Sequence, residues 1–188
     1  MTKTLDNLKQ YCIQKQIPIV RDDVTQYMGE YLENKKAKSF LEIGTAFGYS
    51  ALWFAEKTSL NKIITLEKNA TNYEVAQPYL ANNNKIKSIL TDAFTYCNEE
   101  LFDVIFIDGP KSHQDVLFMK YQKNLSLGGV IFIDNIYLKK FNEQENLTKN
   151  QKNLLKKVKA FEIWLKALTD WKVEILDIGD GLAICTRK

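Results

Sequence analysis

Two groups of residues in this 188-residue chain have types and spacings suited to chemistry. The first is Asp108, Asp134 and Asn135, which directly follow the apolar runs Phe102–Ile107 and Gly128–Ile133. Two carboxylates and an amide are hard oxygen donors. They suit Mg²⁺ or Mn²⁺, which keep positions open for water or substrate oxygens. Lys111 stands three residues after Asp108, in Asp108-Gly-Pro-Lys111. A lysine between a dication and a substrate hydroxyl can serve as general base; the plainer alternative is a surface lysine on a turn. The second group is Glu42-Ile-Gly-Thr-Ala-Phe-Gly48, running on through Ser50. Gly44 lets a chain turn sharply off a strand, and Gly48 allows close approach of backbone or ligand. The N–H groups opening the next helix favour polar or anionic ligand atoms. The spacing is G-x-x-x-G, not the G-x-G-x-x-G of dinucleotide binders. Glu67, ending the next apolar run, can accept both hydroxyls of a ribose. Asp92-Ala93, after the third run, would sit beside an adenine ring. His113, the single histidine, lies near these residues and is assigned no catalytic role.

These residues need a frame that brings them together. Phe40–Ile43, Lys62–Glu67, Lys85–Leu90, Phe102–Asp108 and Gly128–Asp134 read as strands, the fifth entered through a glycine turn. Between them the spacing predicts helices from Tyr49 to about Lys57, from Asn69 to about Asn82, from Ala93 to Glu100 and from Ser112 to Asn124. Strand and helix alternate, so the sheet should be parallel with helices on both faces. In such sheets ligands lie beyond the carboxyl ends of the strands, where these acids, amides and glycines fall. Two helices precede the first strand, at 3–16 and from about Asp22 to Glu33, the second capped by Asp22 or Asp23. Ile17-Pro-Ile-Val20 between them is extended. Lys172–Ile178 and Leu182–Thr186, joined by Gly179-Asp-Gly181, form a hairpin.

The length fits one domain over 1–188. Its parts are N-terminal helices (1–36), a core (37–135), a lysine-rich loop and helix (136–170) and the closing hairpin (171–188). No apolar run approaches membrane-spanning length and no signal-peptide pattern opens the chain, so a cytoplasmic location and no membrane partner are expected. Cys12, Cys97 and Cys185 are far apart and read as reduced, mostly packed thiols. The net charge is +3, and only Arg21 and Arg187 are arginines, so bidentate phosphate recognition is confined to two positions. Leu138–Lys159 holds seven lysines against two glutamates. That permits phosphate contact, although a charge run is usually a solvated face. It should begin as a mobile loop and become a helix with an apolar face through Leu154, Leu155, Val158, Phe161, Leu165 and Leu168.

The stretches Leu41-Glu-Ile-Gly-Thr-Ala-Phe-Gly-Tyr-Ser-Ala-Leu52, Asp103–Lys111 and Gly128–Asn135 resemble the cation-dependent O-methyltransferases of the catechol and caffeoyl-CoA type. Ile17–Val20 and the C-terminal Lys157–Leu165 and Gly179–Ile184 are similar to the bacterial tRNA 5-hydroxyuridine methyltransferases within that group. The resemblance implies a Rossmann-like α/β fold: a seven-stranded, mostly parallel sheet closed by a C-terminal antiparallel hairpin. It implies an S-adenosylmethionine cofactor held by Val20, Gly44, Ser50, Glu67, Ala93 and Asp108. It implies Mg²⁺ or Mn²⁺ on Asp108, Asp134 and Asn135, with Lys111 and Asp108 catalytic. It also implies a homodimer, with tRNA as substrate or, alternatively, a small catechol or phenol. Two readings of other kinds stay open on the residues: an NAD-dependent oxidoreductase, opposed by the G-x-x-x-G spacing and the hairpin, and a non-catalytic RNA-binding protein. The family more often has Asp-Ala where this chain has Asp108-Gly109, and often a tyrosine near His113 and Gln114. Those differences fall on the acceptor side.

Overall fold

The structure is a computed structural model that describes residues 4–139 and 146–188. Its centre is a seven-stranded sheet: β1 (Ser39–Ile43), β2 (Lys62–Glu67), β3 (Ile86–Leu90), β4 (Phe102–Ile107), β5 (Leu125–Ile133), β6 (Trp171–Leu176) and β7 (Leu182–Arg187). The spatial order is β3-β2-β1-β4-β5-β7-β6. The first five strands run parallel, and β7 enters antiparallel between β5 and β6. The expected architecture, closing hairpin included, is present.

Alternation along the strands sends Phe40, Phe106 and Phe132 to one face and Leu41, Ile105 and Ile131 to the other. On the first face they meet α1 (Leu5–Gln14), α2 (Asp22–Lys35) and α3 (Tyr49–Lys57), through Leu8, Met28 and Phe54. On the second they meet α5 (Gln114–Tyr121) and α6 (Lys149–Lys166), through Phe118, Phe161 and Leu165. α4 (Ala70–Leu80) lies between β2 and β3 in sequence and packs on both. Each fully buried phenylalanine of this kind contributes roughly 1.5–3 kcal/mol. Phe161 and Trp164 pack face to face, with ring centres 5.7 Å apart, and Trp164 meets Phe118 edge-on, so both belong to the core.

The register decides where the chemistry falls. Ile43 lies beside Ile107, and Ile107 beside Ile133. The next residues, Gly44, Asp108 and Asp134, therefore leave the sheet side by side. This is also where the strand order reverses, between β1 and β4, as expected for a ligand-binding crevice.

Four expectations need correction. Residues 93–100 are not a helix: Asp92 Oδ1 accepts from Phe94 N (2.9 Å), and its carbonyl accepts from Thr95 N and Tyr96 N, making a tight turn instead. Asn124 Nδ2 then holds the extended remainder through Asn98 O (2.6 Å) and Glu100 O (2.9 Å). The helix expected over 112–124 is one α-helix between 3₁₀ turns at Lys111–His113 and Gln122–Asn124, because His113 leaves the helical region at φ −142°. β5 begins at Leu125 and runs through the glycines rather than starting after them. The cap of α2 is Arg21, with no side-chain cap bond, because both acids are used elsewhere. Asp22 accepts from Lys9, and Asp23 accepts from Val24 N and from Gly179 N. Both acids still sit in the first turn, where the helix dipole favours them.

α6 opens with a capping box between Thr148 and Gln151, and its apolar face is the expected one, with Val158, Phe161 and Leu165 buried. The loop expected before it falls largely on residues 140–145, outside the described residues. Cys12 and Cys185 are buried and Cys97 is exposed. Among the described residues no helix is long and apolar enough to cross a membrane.

Candidate active site

A cavity of about 770 Å³ opens at the carboxyl ends of β1, β2, β4 and β5. Of the residues singled out from sequence, Val20, Gly44, Glu67, Ala93, Asp108, Lys111 and Asn135 line it. Asp134 stands just behind this wall, and Ser50 does not reach the cavity.

The glycine turn forms one wall. Gly44 N and Thr45 N both donate to Leu66 O, at 3.0 and 3.2 Å, which ties the turn to β2. Gly44 has φ +107°, and a Cβ there would lie 2.5 Å from Asp108 O. Gly48 also has positive φ, but the group that approaches it is Leu80 of α4, not a ligand. Glu67 closes the turn from the other side. Its Oε2 accepts from Ala46 N (2.8 Å) and its Oε1 from Asn69 N (2.7 Å). Each oxygen keeps a further lone pair, so the carboxylate can still accept sugar hydroxyls.

Beneath the turn lies Glu42, with no exposed surface. Ser50 Oγ donates to Glu42 Oε1, and Thr65 Oγ1 donates to Oε2 at 2.5 Å. This is why Ser50 does not reach the cavity: its hydroxyl is held by Glu42. Burial pushes the Glu42 carboxyl up to about 7, against the pull of those two hydroxyls. A carboxyl raised in the folded state binds its proton more tightly there than in the unfolded chain. Stability therefore falls as pH rises from about 4.5 through about 7. Glu42→Gln should remove that slope, worth at most about 3 kcal/mol across the window. Urea midpoints of both proteins at several pH values check it; parallel pH profiles would refute it.

The opposite wall carries the oxygen donors. Lys111 Nζ lies 2.5 Å from Asp108 Oδ1. Asn135 sits in the left-handed region at φ +61°, its N donating to Asp134 Oδ1 at 2.7 Å. Gln114 Nε2 fixes the end of β5 by donating to Asp134 O at 2.8 Å. Burial, with Asp108 adding repulsion, holds the Asp134 carboxyl well above the usual carboxylate range. Two mutually repelling acids at neighbouring strand ends, with Lys111 paired to Asp108, form a site short of positive charge. Two carboxylates and an amide there fit a hard divalent cation. Among the described residues there is no cluster of three His, Cys, Asp or Glu side chains for a metal, so the amide is needed to complete the set.

Sequence reasoning missed several wall residues. Lys68 is one; it pairs at 2.7 Å with Asp92, which was expected here and also lines the cavity. Arg21 and Asp180 also line the cavity, as do Phe94, Leu138 and Leu154. Asp180 belongs to the turn between β6 and β7, whose sequence pattern signals only a hairpin link. That turn is fastened on two sides. Gly179 N donates to Asp23 Oδ2 (2.9 Å), while Tyr137 N donates to Asp180 O (2.8 Å) and Ile136 N to Gly181 O (3.0 Å). The signal available in the sequence was an acid between two glycines at the end of a strand. His113 stays outside, its Nδ1 2.7 Å from Ser112 Oγ.

Known proteins match this arrangement along its whole length. The family model described as O-methyltransferase matches residues 1–188. A caffeoyl-CoA O-methyltransferase of Zinnia elegans is 30% identical over 188 residues, covering 88% of this chain and 74% of that protein. One of Populus kitakamiensis is 28% identical over 180 residues, covering 88% and 76%. Among solved structures, a Staphylococcus aureus protein provisionally described as a caffeoyl-CoA O-methyltransferase has a TM-score of 0.91 at 27% identity, covering 98% of this chain and 92% of that one. An O-methyltransferase from Bacillus cereus, solved with SAH, shares the fold at a TM-score of 0.80 and 22% identity, covering 100% and 92%. With the model spanning every residue and the glycine turn and strand-end acids gathered on one cavity, this chain is a member of the O-methyltransferase family.

Proposed function

We propose that this chain transfers the methyl group of S-adenosylmethionine to the hydroxyl of 5-hydroxyuridine in tRNA, giving 5-methoxyuridine, with Mg²⁺ or Mn²⁺ on Asp108, Asp134 and Asn135. One observation carries the choice of acceptor. Leu154 of the lysine-rich helix α6 lines the same cavity as Asp108 and Lys111. Exposed Lys157, one turn further along that helix, thus stands near the cavity rim, with Lys152, Lys156 and Lys159 also exposed. Lysines so placed can meet phosphates while a base enters the cavity.

The cofactor supplies a sulfonium methyl group open to in-line displacement, and the cation supplies charge that favours an ionised acceptor hydroxyl. The chain's own residues do the rest. Val20, Gly44 and Ala93 shape the donor half, and the spare lone pairs of Glu67 accept the ribose hydroxyls. Ile17, Pro18 and Ile19 line the cavity with apolar surface. Lys111 Nζ, set beside Asp108, is the group placed to receive the hydroxyl proton. Positioning of donor and acceptor supplies much of the gain.

Lys111→Ala should lower kcat roughly 100-fold with little change in acceptor KM. Initial rates on tRNA carrying 5-hydroxyuridine check this, and an unchanged kcat would remove Lys111 from the mechanism. For the function itself, nucleosides of tRNA from cells with and without the gene are compared by mass spectrometry. Loss of 5-methoxyuridine with a rise in 5-hydroxyuridine supports the reading; an unchanged profile overturns it. A small phenolic acceptor is the second reading. A cavity of about 770 Å³ is favourable to it, being of small-ligand size. We also read the protein as a cytoplasmic homodimer; exposed Val116, Met119 and Ile163 on the packed pair α5 and α6 offer apolar surface for a partner copy. Sedimentation in solution tests that.

A further inference from the structure

Among the described residues three cationic side chains line the cavity, and they are held very differently. Lys111 is 19% exposed and tied to Asp108 at 2.5 Å. Lys68 is paired with Asp92 at 2.7 Å beside Ala93, on the donor side. Arg21 is 62% exposed and meets Asp180 through one nitrogen, Nη2, at 3.4 Å. No other hydrogen bond of that guanidinium exists among the described residues. Its remaining N–H donors are therefore free to point at a ligand, and their planar fork matches an oxyanion. Asp180 is only 16% exposed, and its backbone is fastened to Tyr137 N, two residues beyond Asn135. The pair thus stands on the acceptor side, next to the oxygen-donor wall. An arginine is costly to spend on a loose surface pair in a chain with two of them, since such pairs contribute little to stability.

We propose that Arg21 binds an oxyanion group of the acceptor, with Asp180 keeping the guanidinium aimed into the cavity until that group arrives. The proposal deepens the methyltransferase reading above and rests on it. Under that reading the oxyanion is an RNA phosphate beside the reacting uridine. A carboxylate on a small phenol has the same chemistry. Arg21 is a binding residue in this account and takes no part in proton transfer.

The test compares wild type, Arg21→Gln and Arg21→Lys on two acceptor pairs. One pair is a short RNA oligonucleotide containing 5-hydroxyuridine and the free nucleoside; the other is caffeate and catechol. Binding of the oligonucleotide in the presence of S-adenosylhomocysteine is titrated in parallel by fluorescence anisotropy at several salt concentrations. Arg21→Gln should lower kcat/KM for the charged member of a pair roughly tenfold more than for the uncharged member, mainly through KM. Arg21→Lys should keep part of the preference. A contact with phosphate also predicts that log K falls less steeply with log salt in Arg21→Gln, by about one unit of slope. Discrimination within the RNA pair assigns the oxyanion to phosphate, and discrimination within the caffeate pair alone assigns it to a carboxylate. Equal losses on charged and uncharged acceptors overturn the proposal. So does weaker S-adenosylhomocysteine binding with unchanged acceptor preference, which would assign Arg21 to the cofactor. If wild type methylates none of the four acceptors, the methyltransferase reading fails on these substrates. The salt titration then still decides whether Arg21 holds a phosphate: an unchanged slope overturns that contact.

Discussion

Asp134→Ala should lower methyl transfer by more than about 100-fold while S-adenosylmethionine still binds. Losing a group that merely supports a metal ligand costs 10- to 100-fold, so losing a ligand should exceed that range. The binding half of the expectation comes from placement. Under the proposed function, the donor half of the cavity is lined by residues 17–20, 44, 46, 66–68 and 91–94, and Asp134 is not among the lining residues. Initial rates and calorimetric titration with the cofactor separate the two effects. A melting curve guards against simple unfolding. Removing Asp134 relieves its repulsion with Asp108 but gives up the hydrogen bond from Asn135 N, so a variant that still melts cooperatively shows that lost turnover is not lost fold. Normal turnover in the variant, or in wild type with excess EDTA, would rule out the cation chemistry.

Gly44→Ala should fail differently, losing stability and cofactor binding together. The backbone there is at φ +107°, a region costly for any residue with a Cβ. The added carbon would also lie 2.5 Å from Asp108 O. Neither partner can yield easily. Gly44 N is tied to Leu66 O, and Asp108 N to Ile43 O, both at 3.0 Å. Strain and collision together should cost roughly 3 kcal/mol or more. Because the same turn presents Ala46 N to Glu67, its displacement also disturbs the carboxylate proposed to accept the ribose hydroxyls. Urea denaturation and cofactor titration measure the two losses. A variant with wild-type midpoint and affinity would show that the turn has slack the geometry denies.

The strands were legible because each is an unbroken apolar run, and the oxygen donors were legible because they stop those runs. Asp108 and Asp134 are adjacent through register alone, once β4 and β5 pair in parallel. Ser50 stands apart from the cavity lining for a reason no local pattern carries. Its hydroxyl faces Glu42 beneath the turn, and which neighbour claims a hydroxyl depends on the packing of α3 against β1 and β2. The helix expected over 93–100 lost to side chains, Asp92 and Asn124, that offer the backbone other partners. Arg21 and Asp180 were invisible as a pair because β7 must first insert between β5 and β6 to bring them together.

That insertion has a consequence for how the protein acquires its ligands. The contacts of Asp23 with Gly179 and of Arg21 with Asp180 join positions 156 and 159 residues apart. Contacts between such distant positions carry a large loop-closure entropy and tend to form late. A molecule gripped between residues 17–21 and the Asp180 turn is thus a bridge between distant parts of the chain, and it finds its full site only after the last strand has docked. Ligand binding would then draw the folding equilibrium toward the finished molecule. Affinity measured on a partly folded population would report how many chains have completed the sheet, as well as how tightly each one holds.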